Sequence, residues 1–482
     1  MRRVRGLETE YGLQVRVRPL EAASPRDPSP AGWRRLSAEE GAQALFEPVV
    51  GSNASTNVFL RNGGRLYLDV GAHPEYATAE CSTLAELLAQ DRAGDLVLDR
   101  LAARCRERFA EKGFEARTSL FKNNVDSHGN SYGSHENFQV ARTGELAALV
   151  EALTPFLVTR QLLCGAGHWQ RDRQGKARFL LSQRAEHMWD PLGSATTRSR
   201  PMVNTRDEPH ADAERFRRLH VIVGDSTMLE TTTLLRLGST ELVLRAVEQG
   251  ERFESLAVDE AGRRIREVAA DPRGRAVVTP TGMVALDVQR ACWERTADLA
   301  DDDELRAAHR LWGRVLDAIA DDALHRVEAE VDWVAKWRLL TAQARRHRMA
   351  EDDPRLAQLD LAWHDIVAGQ GLARLAEQRG QLARWDGSDD ALAAVDSPPQ
   401  STRARLRGAF VTAAQQHRRE YSVDWVRLDC HDLADGRVDL DDPLCSQDSR
   451  VDELVRRMAS EPRRKESGGF ASRRAWTPSS LG

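Results

Sequence analysis

The stretch RLYLDVGAHPEYATAEC, residues 65–81, constrains this chain more than any other. Strand side chains alternate between faces, so Leu66, Leu68 and Val70 share one side while Arg65, Tyr67 and Asp69 share the other. The first row is core. The second is an ordinary solvated face if the strand stands alone, and a row of chemistry if other stretches bring matching groups.

The chain is long enough to bury an active site. Its 482 residues exceed one ordinary core and predict a large domain with a smaller companion. A net charge of -5 with 30% charged residues excludes a general polyanion binder, so no nucleic-acid partner is expected and any basic site must be local. The six cysteines, Cys81, Cys105, Cys164, Cys292, Cys430 and Cys445, show no C-x-x-C spacing, which argues against a zinc site or a disulfide framework and for a reducing cytoplasm. MRRVRGLETEYG turns charged before any apolar run of signal length, and nothing approaches the ~20 apolar residues of a membrane span. The expectation is a cytoplasmic protein, neither exported nor embedded in a membrane.

Residues 4–18 alternate as a first strand, and the proline-rich PLEAASPRDPSPAGW that follows is a loop. Helices are predicted over 37–47 and 82–113, a strand near 116–126, a helical stretch over 144–167 ending at glycines, and strands in RFLLSQRAEHMW and RLHVIVGDS. Residues 284–384 are mainly helical, with Leu305, Trp312, Val315, Leu316 and Ile319 forming an amphipathic core stripe. The proline pair in DSPPQSTRARLRGAF divides a large domain, 1–397, from a small C-terminal one, 398–458; residues 459–482 have little to bury and read as a disordered tail.

Three constellations offer chemistry. Glu8 and Glu10 in GLETEYG sit two apart, so a strand holds both carboxylates on one face, where they need water, a cation or a basic partner. Oxygen ligands on a stiff sheet suit Mg²⁺, although a lone E-x-E strand is more often a solvated edge. FKNNVDSHGNSYGSHENF crowds Lys122, Asn123, Asn124, Asp126, His128, His135 and Glu136 around glycines, enough to line a polar cleft. Arg198, Arg200, Arg206, Arg217 and Arg218 lie among Asp207, Glu208, His210, Asp212 and His220, a mixture fit either for phosphate and cation or for a surface ion-pair network. His187 and His364 read as structural. No P-loop, dinucleotide-binding glycine motif or nucleophile elbow occurs, so any ATP must be held by sheet-borne metal and arginines.

Taken together, GLETEYG, NVFLRNGGRLYLDVGAHPEYATAEC, LFKNNVDSHGNSYGSHENF, PFLVTRQLLCGAG, LSQRAEHMW, SRPMVNTRDEPHADAERFRRLHVIVGDS, AQLDLAWHDI and PPQSTRARLRG resemble the Pup ligase family from residue 4 to about 456. The resemblance extends to the sister depupylases. LDVGAHPEYATAEC matches the ligase wording, PPQSTRARLRG is ligase-like, and the long depupylase insertion before this strand is missing. The loop around residues 19–34 is longer than a ligase's and reads as a surface elaboration.

That resemblance implies an α+β fold similar to glutamine synthetase: a curved antiparallel sheet cradle packed with helices, plus a small C-terminal domain. It implies ATP and Mg²⁺ as cofactors, and as partners Pup and lysine-bearing targets of a bacterial proteasome pathway. Residue by residue it implies Glu8, Tyr67 and Glu75 at the metal, Arg65, Thr78 and Trp425 at ATP, and Asp69 as catalytic base. Glu10, His220 and Arg206 are added as further metal or phosphate ligands. A neutral phenol is a poor magnesium ligand, so Tyr67 is expected to act through water or its backbone. Glu75 and Thr78 have opposite parity, so a bulge, turn or backbone contact must intervene if both serve one cleft. The expected chemistry is phosphorylation of the Pup glutamate, then attack by lysine. The rivals are a depupylase, a small-molecule glutamate ligase and a non-catalytic ATP-binding adaptor.

Overall fold

A computed structural model describes residues 3–20, 32–53, 55–69, 71–171, 176–195, 199–385 and 391–463. Val70, Arg198, most of the proline-rich loop and the tail from 464 onward lie outside the described residues.

The alternating segments assemble into an eight-stranded sheet. Its spatial order is Leu192–Gly193, Val203–Asn204, Phe216–Val221, Ser134–Ala141, Arg5–Glu10, His73–Ala77, Arg65–Asp69, Asn57–Phe59. Neighbours are antiparallel except at the Leu192 edge, where the short first pair is parallel. One face carries Leu7, Leu66, Tyr76, Phe138 and Leu219, all buried. Beneath it runs the helix Leu84–Glu111, started by a reciprocal cap between Thr83 and Glu86. Gly94 on this helix lies against the Tyr76 ring; a Cβ there would stand 2.4 Å from Tyr76 Cδ1. The predicted stripe Leu305, Trp312, Val315, Leu316 and Ile319 lies buried on the helix Asp303–Ala320.

Two predicted elements differ. The first strand is divided at Tyr11 into Arg5–Glu10 and Gly12–Pro19. There the backbone N–H of Tyr11 donates to Pro74 O at 2.8 Å, and its hydroxyl donates to buried Asp95 at 2.8 Å. Gly12–Pro19 then joins a second sheet, between Arg34–Arg35 and Phe114–Phe121, over a small core of Val15, Val17 and Leu36. In RFLLSQRAEHMW only Ala177–Leu180 is strand; a short 3-10 turn, Ala185–His187, follows. Its backbone is diverted by Asp225, whose carboxylate accepts the N–H groups of Gln183 and Arg184, each at 3.1 Å, so no neighbouring strand receives them.

The C-terminal residues have their own core, built by Leu406, Phe410, Leu428, Val438, Val451, Leu454 and Met458 from two helices and a three-stranded sheet. Glu80, just past the His73 strand, accepts Arg403 Nε at 2.8 Å and pairs with Arg407, tying this core to the main sheet. The six cysteines are unpaired. Among the described residues no helix is long and apolar enough to cross a membrane.

Candidate active site

Register decides what meets on the open face of the large sheet. Arg65 lies opposite Ala77, which lies opposite Glu8, which lies opposite His135. One step along, Tyr67, Glu75 and Glu10 face one another, and a further step sets Asp69 opposite His73. Asn137 and His220 are likewise paired. Directly opposed residues share a face, so five strands deliver these groups to one surface.

They gather into two sets whose ligand atoms lie within 4.8 Å: Glu8 with His135 and His220, and Glu10 with Asp69 and Glu75. The Glu8 carboxylate accepts Asn137 Nδ2 at 3.1 Å and stands 3.1 Å from His135 Nδ1, 3.7 Å from Arg218 and 4.0 Å from His220. Burial works against its charge, but His135, His220 and Arg218 hold the carboxyl well below its ordinary range. His220 is buried, and burial, His135 and Arg218 push it down to about 3 despite Glu8. Its imidazole is therefore neutral, and neither ring nitrogen has a hydrogen-bond partner among the described residues. Glu75 is shifted the other way, well above its ordinary value, by burial and by the charges of Glu10, Glu8 and Asp69. The Tyr67 hydroxyl, held protonated by burial and by Glu75 and Glu8, donates to Glu75.

Such crowding of carboxylates fits a bound cation. Glu10, Asp69 and Glu75 supply only oxygen, the set that suits Mg²⁺. Glu8 with two imidazoles has room for a borderline metal as well, and the orphaned nitrogens of His220 are what a cation there would satisfy.

Beside Glu8 opens a pocket lined on the sheet by Glu8, Thr78 and Asn137 and on the C-terminal side by Arg403 and Trp425. Trp425 meets Phe59 edge-on at 5.0 Å, and Arg407 lies over its ring at 4.9 Å. Thr78 reaches this pocket through an irregular register. Glu8 pairs with Ala77 but Arg5 with Cys81, so three steps on one strand match four on the other. This one-residue bulge reverses the parity after Ala77. The Thr78 hydroxyl there accepts the N–H of Leu7 at 3.0 Å.

Of the sequence-predicted residues, Glu8, Thr78 and Trp425 line the pocket, while Tyr67, Glu75 and Asp69 stand in the adjoining row. Arg65 is not among the pocket-lining residues; its guanidinium lies 4.2 Å over the Tyr67 ring and donates to Asn57 at 2.7 Å. Glu10 and His220 join the carboxylate and histidine sets, whereas Arg206 stays exposed near His220. From sequence His135 was one of a cluster fit to line a polar cleft, and Arg218 one of a mixture fit for phosphate and cation or for a surface ion-pair network. The register that sets His135 opposite Glu8, and the 3.7 Å approach of Arg218, place both beside that carboxylate.

The arrangement matches known proteins along nearly its whole length. The model of the family described as Pup-ligase protein matches residues 3–429. A Pup–protein ligase of Actinosynnema mirum is 49% identical over 461 residues, 94% of this chain and 99% of that one. A Pup–protein ligase of Nocardia farcinica is 50% identical over 465 residues, 95% of this chain and 100% of that one. A crystal structure of Pup in complex with its ligase PafA superposes with a TM-score of 0.86 at 39% identity, covering 95% of this chain and 92% of that one. PafA in complex with ADP gives 0.80 at 40% identity, covering 92% and 99%. Because the matched span takes in the bulged sheet, both carboxylate sets and Trp425, this chain belongs to the Pup ligase family.

Proposed function

We infer that this protein is an ATP-dependent Pup–protein ligase, which joins the γ-carboxylate of Pup's C-terminal glutamate to lysine ε-amines on target proteins and so marks them for a proteasome. The observation that carries the reading is the continuity of one sheet face: a pocket walled by Trp425 and Thr78 passes without interruption into the carboxylates of Glu8, Glu10 and Glu75 and ends at exposed Asp69.

A carboxylate is a poor acyl donor because its leaving group is oxide. Transfer of the γ-phosphoryl group of ATP to the Pup glutamate gives an acyl phosphate, whose phosphate leaves readily. The nucleotide base lies against Trp425, with Thr78 and Arg65 as further contacts, and Arg218 offsets phosphate charge from the sheet. Glu8, in its set with His135 and His220, and Glu10 with Glu75, in theirs, would hold Mg²⁺, with Tyr67 fixing Glu75 by its hydrogen bond rather than ligating through its own oxygen. Bound there, Mg²⁺ would supply positive charge to offset the reacting anions. A lysine ammonium, of solution pKa ~10.4, must lose a proton before it attacks. Asp69 receives that proton at the outer end of the row. A cytoplasmic setting accords with six unpaired cysteines, and a large unit, 1–397, with a small one, 398–458, accords with the separate C-terminal core.

Incubation with ATP, Pup ending in glutamate and a lysine-bearing target is expected to yield a conjugate of the two proteins with stoichiometric ADP and phosphate. Cleavage of preformed conjugate without any synthesis would assign the depupylase reaction instead. Product from glutamate and a free amine with no need of Pup would assign a small-molecule glutamate ligase.

A further inference from the structure

The second sheet carries a feature that the ligase chemistry leaves unused. Arg16 stands directly opposite Arg35 on one neighbouring strand and Arg117 on the other, so three guanidinium stems rise in one row across three strands. Like charges directly opposed on a sheet repel one another. Arg16, Arg35 and Arg117 are all exposed. Arg117 reaches Glu115 only at 3.8 Å, and that carboxylate is already paired with Arg18. Among the described residues no carboxylate pairs with Arg16 or Arg35. Alongside the row, the Trp33 ring receives the guanidiniums of Arg18 at 4.8 Å and Arg117 at 4.5 Å. Arginine with a half-buried aromatic is the composition of an interaction surface rather than of a merely solvated edge.

Position gives the row its meaning. Along residues 7–17 the odd positions Leu7, Tyr11, Val15 and Val17 are buried against the helix Leu84–Glu111 or the small core beside it. The even positions Glu8, Glu10, Gln14 and Arg16 therefore share the opposite face. The active-site surface and the arginine row are one surface, and Glu10 to Arg16 spans on the order of 20 Å of extended chain. The sequence along it is ordered. The Trp425 pocket lies at the Glu8 end. At the other end His73, opposite Asp69, stacks on Tyr132 at 4.5 Å and bonds Tyr11 O at 3.2 Å, next to the start of the second sheet. The row thus lies beyond the proposed base, on the side away from the nucleotide pocket.

We propose that Arg35, Arg16 and Arg117, with Trp33, form a docking site for an acidic segment of the target protein, several residues from the lysine that is modified. Carboxylates along the segment relieve the repulsion within the row, and the ~20 Å separation sets the acids about five or six extended residues from that lysine. The inference rests on the ligase reading.

Peptides holding one lysine, with four glutamates or four glutamines placed two, five or eight residues away, serve as acceptors for the full chain with Pup and ATP. At low salt the glutamate peptide with the five-residue spacing is expected to have a KM roughly tenfold below its glutamine counterpart, and the advantage should shrink in 0.5 M NaCl. In the double variant Arg16→Gln, Arg117→Gln the ratio of the two KM values should fall toward one, whereas Arg16→Lys should keep most of it. The wild-type salt and spacing series needs no variant to fold. Equal KM values for the paired peptides at every spacing would overturn the proposal, as would a double variant that raises the KM for Pup while keeping the peptide ratio. Absence of conjugation with any acceptor would instead defeat the ligase reading.

Discussion

Asp69 is exposed at the end of its strand while Glu10, two strands away, and Glu75 are largely enclosed. That difference suits the proposed division between a base open to an incoming amine and carboxylates enclosed around a cation. Asp69→Asn keeps size and polarity but removes the proton acceptor. Conjugation is expected to fall by about 10²-fold or more, with nucleotide affinity, read by fluorescent ADP displacement, changed by no more than about twofold. Unchanged conjugation would reject the base. A second residue test concerns Gly133, where a Cβ would stand 2.4 Å from Glu10 Oε1 and 2.5 Å from His135 Nε2. Gly133→Ala must displace members of both sets, so the Mg²⁺ concentration for half-maximal conjugation should rise about tenfold. The alternating row Arg65, Tyr67, Asp69 was legible in the sequence because a strand's parity is local. The partnership of Glu8 with His135 and His220 was not, since 127 and 212 residues separate them and only the antiparallel register joins them.

Elements explain how those residues are held. The helix Leu84–Glu111 presents Gly94 to the ring of Tyr76, whose hydroxyl accepts Asn62 Nδ2 at 2.8 Å on the loop before the Arg65 strand. Gly94→Ala forces a methyl into that ring and is expected to destabilise the fold by roughly 1–3 kcal/mol, measured by urea unfolding; a variant as stable as the parent would show that the helix shifts freely. Hydrophobic periodicity announced this helix and the stripe on Asp303–Ala320. It missed the break at Tyr11 and the turn after Leu180, because both are made by distant polar side chains, Asp95 and Asp225, that no local pattern contains. The bulge at Thr78 lay between these cases: parity required some irregularity, and the extra residue between Ala77 and Cys81 supplies it.

At the scale of the whole molecule, Glu80 joins two cores. Burial opposes its charge, but Arg407 and Arg403 prevail and bring its carboxyl down to about 2. A folded-state value below the unfolded ~4.3 means the pair contributes fully above pH ~4.3 and is lost as pH falls through 2, an effect of order 3 kcal/mol. The stability difference between the parent and Glu80→Gln, from denaturant unfolding at successive pH values, should accordingly be largest near neutrality and shrink below pH ~4. A difference independent of pH would place the linkage elsewhere. The proline pair at 398–399 precedes the separate C-terminal core, and the place of Trp425 on the Glu8 pocket was readable only through resemblance. That place has a corollary for the gene: a product ending before Trp425 would lack one wall of the Glu8 pocket, so the proposed nucleotide site needs both cores on one chain.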